Sequence, residues 1–121
     1  MKTYIKVKTQ FEGKHQWSSC PFEEVAFLKS LHRHIFYVIV IAEVSHADRD
    51  IEFFILKKDI DKVIKELYDT DVSKIANLGS MSCEMMCKDI QDALSKIEYN
   101  TISEIEVNED NENGAIVKFD V

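Results

Sequence analysis

Long apolar runs are missing from this chain. The longest, from Ile35 through Phe36-Tyr37-Val38-Ile39-Val40-Ile41 to Ala42, is far shorter than the roughly 20 residues a membrane-spanning helix needs. It is rich in β-branched side chains and reads as a buried strand. No secretory leader is legible either, because Lys2 and Lys6 stand where an apolar core would have to be. Cysteine is scarce: Cys20, Cys83 and Cys87 are too few, and odd in number, for a disulfide framework. They read as reduced thiols, and the expected location is cytoplasmic. Positive charge is in deficit, with 15 Lys and Arg against 22 Asp and Glu, a net −7. Nucleic-acid binding depends on basic groups that neutralise phosphates, so this balance excludes it as an expectation. Beyond Glu98, the acids Glu104, Glu106, Glu109, Asp110, Glu112 and Asp120 face only Lys118. Proline occurs once, as Pro21, and repeats and low-complexity segments are lacking.

What is present is a folding composition, 45% hydrophobic and 10% aromatic, in 121 residues. That length fits one domain, residues 1–121, with a core and a large relative surface. Residues 3–11 alternate Tyr4, Lys6 and Lys8 with Ile5, Val7 and Thr9, the pattern of a half-buried strand. Residues 12–31 hold Gly13 and Pro21 and read as a long loop with one helical turn near Val25-Ala26-Phe27-Leu28. Long loops in small domains tend to carry function. Residues 32–46 form the strongest strand, paired through a turn near Ala47-Asp48 with a second strand over 49–55.

Leu56, Ile60, Val63, Ile64 and Leu67 predict an amphipathic helix over 56–68. A connector from Asp69 to Ser80 follows. A second helix over 82–97 carries Cys83, Met86, Cys87, Ile90, Leu94 and Ile97, with Ser82 as N-cap and Glu84 in the first turn. Strands over 102–109 and 114–120 flank a turn containing Asn113-Gly114. The order β, loop, ββ, αα, ββ predicts an α+β domain: a four-stranded antiparallel sheet with two helices on one face.

The chemistry begins at His32-Arg33-His34. Alternation puts residues i and i+2 of a strand on one face, so the two imidazoles point the same way. They make half of a zinc site, and catalytic zinc typically takes three protein ligands. His15, in the loop, is the candidate third; His46 lies at the far end of the strand. Cys83 and Cys87, at i and i+4, sit on the apolar stripe and read as core. His46-Ala47-Asp48-Arg49-Asp50-Ile51-Glu52 reads as a charged hairpin tip.

These residues, in order, resemble the 6-pyruvoyl tetrahydropterin synthase and 6-carboxytetrahydropterin synthase family, which has the tunnelling fold. Phe11 stands four residues before His15, as a Phe stands before the first metal histidine there. His32-Arg33-His34-Ile35-Phe36 is similar to the family's His-Gly-His and following aromatic. Ile51-Glu52-Phe53-Phe54-Ile55-Leu56-Lys57 resembles its Val-x-Asp-Phe-x-x-Leu-Lys signature, and Ser82-Cys83-Glu84-Met85 its Thr-x-Glu-Asn. Glu109 matches the glutamate that grips the pterin. A carboxylate can accept both parallel N–H groups of an amino-pyrimidine edge.

The resemblance implies zinc on His15, His32 and His34, with Glu109, Ser82 and Glu84 around a pterin- or purine-like small molecule. It implies lyase-type chemistry in which the metal acidifies a substrate C–H. It also implies a homo-trimer or homo-hexamer whose sheets close an oligomeric barrel, removing exposed strand edges. The departures concern acid–base groups. The family's cysteine before His-Gly-His is absent from Phe27-Leu28-Lys29-Ser30-Leu31, its Asp-His pair aligns with Asp69-Thr70, and Arg33 replaces the glycine. Asp69 and Glu24 are therefore the candidate catalytic residues, with Glu23, His46 and Cys20 as other candidate bases. The alternative is an inactive relative that binds such a ligand or serves as an interaction module.

Overall fold

The computed structural model describes residues 1–70 and 74–121. Its elements are β1 (Thr3–His15), a kinked 3-10 helix (Glu23–Lys29), β2 (His32–Val44), α1 (Phe53–Tyr68), β3 (Ala76–Asn77), α2 (Cys83–Lys96), β4 (Ile102–Glu109) and β5 (Gly114–Lys118). The sheet runs in the order β3-β1-β2-β4-β5. Its four long strands are antiparallel, and the two-residue β3 adds a parallel edge beside Gly13 and Lys14. This is the expected α+β architecture, with a fifth, very short strand that the sequence pattern did not announce.

One face of the sheet is covered. α1 turns Leu56, Ile60, Val63 and Ile64 inward and packs on β1; α2 turns Met86, Cys87, Ile90 and Leu94 inward and packs on β4 and β5. The strands answer with period-2 burial: Val7, Thr9 and Phe11 on β1, Phe36, Val38, Val40 and Ala42 on β2, and Ile105 and Val107 on β4. Two polar links tie α1 down. The Thr9 hydroxyl donates to Asp61, and the Tyr99 hydroxyl donates to Asp59 at 2.6 Å.

Three expectations are corrected. Residues 49–51 are turn and bend, Glu52 is the N-cap of α1, and Phe53, Phe54 and Ile55 open α1 rather than ending a strand. The reason is the sheet order: both edges of β2 are taken, by β1 and β4. The Glu52 carboxylate meanwhile accepts the Phe54 and Ile55 amides and starts the helix. Residues 12–15 are strand, because β1 stays paired with β2 to the His15–His32 step. The last strand stops at Lys118. Residues 71–73 of the expected connector lie outside the described residues.

Gly114, at the start of β5, has a packing reason to be glycine. A Cβ there would lie 2.4 Å from both the Asn108 Cβ and the Val107 carbonyl oxygen. Backbone cannot yield as a flexible side chain does, so Gly114→Ala is expected to cost about 1–3 kcal/mol or more, read as a lower urea midpoint. A midpoint unchanged from the parent would show that the hairpin relaxes freely.

Candidate metal centre

The rule that buries the core also builds the site. On β1 the inward residues run Phe11, Gly13, His15; on β2 they run Phe36, His34, His32; on β4 they run Ile105, Val107, Glu109. The last inward positions of three adjacent strands, beside the start of α2, are polar. His15 pairs directly with His32, and Glu109 with Phe36. The ligand atoms offered by His15, His32, His34 and Glu109 all lie within 4.8 Å of one another. Phe36 closes the inner wall, its ring centroid 5.3 Å from that of His15 and 5.8 Å from that of His34.

Each imidazole is held through Nδ1. That of His15 lies 2.8 Å from the Met81 carbonyl oxygen, that of His32 2.8 Å from the Ser30 carbonyl oxygen, and that of His34 2.7 Å from Asp110 Oδ2. Carbonyls and carboxylates only accept, so these partners assign the proton to Nδ1 and leave Nε2 as the ligating nitrogen. An acceptor behind a ligating histidine fixes ring and tautomer and makes the other nitrogen a better donor. Asp110 is itself set by its second oxygen, which accepts the Ile35 amide at 2.9 Å. Its bond to His34, first, and that amide, second, hold its carboxyl below the usual range.

The fourth group faces the histidines directly. Glu109 Oε2 lies 2.9 Å from His15 Nε2 and 3.5 Å from His34 Nε2. In the protein without metal, the hydrogen bond to Glu109 raises the His15 pKa, burial opposing it, and the same bond lowers that of Glu109. This donor set suits zinc, which takes imidazole and carboxylate ligands. Donors about 2.0–2.1 Å from one tetrahedral ion lie about 3.3–3.4 Å apart, so a pair at the 4.8 Å limit of this cluster has to close by about 1.4 Å.

A cavity of about 520 Å³ opens beside the centre, within the range that suits a small ligand. His15, His32 and Glu109 form one side; Trp17, Leu28, Met81 and Met85 add apolar walls; Ser82, Cys83 and Glu84 bring the start of α2. Ser82 Oγ is engaged as the α2 cap, accepting the Met85 amide at 3.2 Å. The Cys83 thiol is pushed up to about 12, by burial first and Glu109 second, so it is a neutral group at the cavity wall.

The remaining sequence candidates lie elsewhere. Glu24 is exposed on the 3-10 helix, as is Glu23, and neither lines the cavity. Asp69 is the exposed, left-handed C-cap of α1, also away from the cavity. Cys20 is buried with its thiol toward the Phe22 and Val25 carbonyls. His46 lies at the opposite end of the sheet, beside a second cavity of about 360 Å³. The charges there are committed locally: Asp50 accepts from Ser45, Asp48 pairs with Arg49, and Glu52 caps α1. Asp110 was missed as a site residue. Its adjacency to Glu109 was the available signal, but only the left-handed backbone at Asp110, φ 59°, turns its side chain back to His34.

No family model matches this chain, and no curated protein does. Solved structures do. An uncharacterized protein from Wolinella succinogenes superposes with a TM-score of 0.70 at 14% identity, over 99% of each chain. The 6-pyruvoyl tetrahydropterin synthase of Plasmodium falciparum superposes at 0.67 and 19% identity, over 99% of each chain. That of Plasmodium vivax, in a form with a catalytic glutamate changed to cysteine, superposes at 0.65 and 16%, over 100% of this chain and 99% of that one. At such identities the shared property is the fold, and the chain has the fold of these synthases.

Proposed function

We propose that this protein is a zinc-dependent, lyase-type enzyme acting on a pterin- or purine-derived small molecule. The observation that carries the reading is the convergence of three histidines and Glu109 within 4.8 Å at the mouth of a ligand-sized cavity. In this reading His15, His32 and His34 hold the zinc. The bound ion would polarise substrate oxygens and acidify the neighbouring C–H. Asp110 and the carbonyls of Met81 and Ser30 keep the three rings aimed. Trp17, Leu28, Met81 and Met85 flank a planar ring and exclude water from it. Glu109 and Glu84 supply carboxylates able to accept the paired N–H groups of an amino-pyrimidine edge, beside Ser82.

The acid–base groups are the open part of the reading. Glu24 is proposed as base, an exposed carboxylate on the 3-10 helix that leads into β2. It would have to reach the cavity when ligand binds, since a base acts only within hydrogen-bond distance. Asp69 would act from the C-terminus of α1. One observation favours a second reading, a ligand-binding protein without turnover. Cys83, the one cysteine among the cavity's lining residues, is a neutral thiol, and the two carboxylates there, Glu84 and Glu109, are already assigned to ring binding. We also propose a homo-trimer or homo-hexamer. β5 and β3 are edges, and the helix-free face exposes Tyr4, Ile35 and Ile116, features that side-by-side assembly of sheets would cover.

The test joins metal content to turnover. Protein purified without a histidine tag is expected to carry about one zinc per chain and to consume dihydroneopterin triphosphate. Tight binding without consumption would favour the second reading, and no zinc uptake would end the zinc-enzyme reading and leave the ligand-binding one in front. Stripping the zinc with a chelator should lower stability by about 2.7 kcal/mol relative to protein at free zinc one hundred times the dissociation constant, measured by urea unfolding.

A further inference from the structure

We infer that Glu109 is a fourth protein ligand to the metal, so that the ligand-free centre holds its ion with three imidazoles and one carboxylate. This rests on the proposed metal site and reassigns one of its residues. Glu109 lines the cavity, but its carboxylate is turned to the histidines: Oε2 lies 2.9 Å from His15 Nε2 and 3.5 Å from His34 Nε2, the nitrogens left free to ligate.

The backbone around Glu109 holds it there. Its amide donates to the Asn113 carbonyl at 2.8 Å, and the next amide, Asp110, donates to the Ile35 carbonyl at 2.8 Å. The Asp110 side chain then binds the Ile35 amide and His34 Nδ1. One dipeptide at the end of β4 thus supplies a carboxylate on the inner side of His34 and another behind it. Among the described residues, the ion-pair partners of Glu109 are these two histidines and no lysine or arginine. Three neutral imidazoles alone would leave a divalent ion uncompensated; the carboxylate halves that charge in a partly buried place. Removing one buried partner of such a set leaves the others uncompensated, which is costly.

A consequence follows for the proposed ligand. An amino-pyrimidine edge and the metal would compete for the same carboxylate oxygens. Ring binding would either draw Glu109 off the ion, opening a coordination position, or use Glu84 across the cavity. Coupling of this kind is reciprocal, so a ring ligand that recruits Glu109 should weaken metal affinity.

The experiment compares the unaltered protein with Glu109→Gln, Glu109→Ala and His34→Ala. Zinc affinity is read by competition with a chromophoric chelator, ligand number by the visible spectrum of the Co(II)-loaded protein, and fold by circular dichroism. We expect both Glu109 variants to keep the fold, lose tenfold or more in zinc affinity and change the Co(II) spectrum. Parent-like affinity and spectrum in both Glu109 variants, with metal lost in His34→Ala, would overturn the inference and leave the three-histidine site standing. Failure of the unaltered protein to take up either metal would overturn this inference and the proposed site together.

Discussion

Protein carrying His32→Ala and His34→Ala together is expected to purify without metal and to take none up, where the unaltered protein is expected to hold about one zinc per chain. The double change removes two of three imidazoles and leaves His15 and Glu109, which then satisfy each other through the 2.9 Å contact already present. Two remaining donors fall short of the three that even an open zinc site uses. The fold should survive. Both histidines stand at the start of β2, beyond the helix-covered core, and are only partly buried. Asp110 loses His34 but keeps the Ile35 amide. Mass spectrometry of the purified protein gives the metal content, and calorimetric titration with zinc gives the affinity. Metal retained at the parental level with parental circular dichroism would mean that the ion sits elsewhere, and the proposed chemistry would fall with it.

Much of that centre was legible because it follows from strand parity. His32 and His34 share a face by spacing alone; the parity that carries β1 from Phe11 to His15 and β4 from Ile105 to Glu109 was visible only in the structure, since His15 read as loop and Glu109 came from the resemblance. The helices were legible for the same kind of reason. An expected 82–97 became Cys83–Lys96, with Ser82 capping as its chemistry suggests. What failed was long-range. Ile51, Phe53 and Ile55 alternate like a strand, but nothing local says that β4, far along the chain, takes the edge of β2 they would have needed. Gly13 read as part of a long loop. It is instead a site of close approach, where a Cβ would come within 2.8 Å of Leu78 Cδ1. The acceptors behind His15 and His32 are backbone carbonyls of Met81 and Ser30, to which side-chain patterns are blind. Asp69 and Glu24 came from the resemblance and from loop position, not from packing, and they are the candidates that lie outside the cavity.

Phe36 joins core and centre, and Phe36→Ala should show that connection in two readouts. The ring is fully buried, stacks on Phe11 at a centroid distance of 5.5 Å and meets the edges of His15 and His34. Cutting a buried phenylalanine to alanine typically costs about 3–5 kcal/mol, the lost transfer free energy plus the cavity left behind. Here relaxation is limited, because Phe36 lies on a central strand hydrogen-bonded on both sides. Urea unfolding should therefore show a loss near that range in metal-free protein. The same cavity lies directly behind the rings of His15 and His34, the two proposed ligands it deprives of a wall, and should weaken zinc binding as well. Phe36→Leu separates the effects. It keeps most of the volume, with an expected stability cost below about 1.5 kcal/mol, but not the flat surface against the imidazoles. A Leu variant with near-parental stability and reduced zinc affinity would assign Phe36 a positioning role for the histidines. Parental affinity in both variants would confine it to the core and show that the Nδ1 acceptors alone aim the rings.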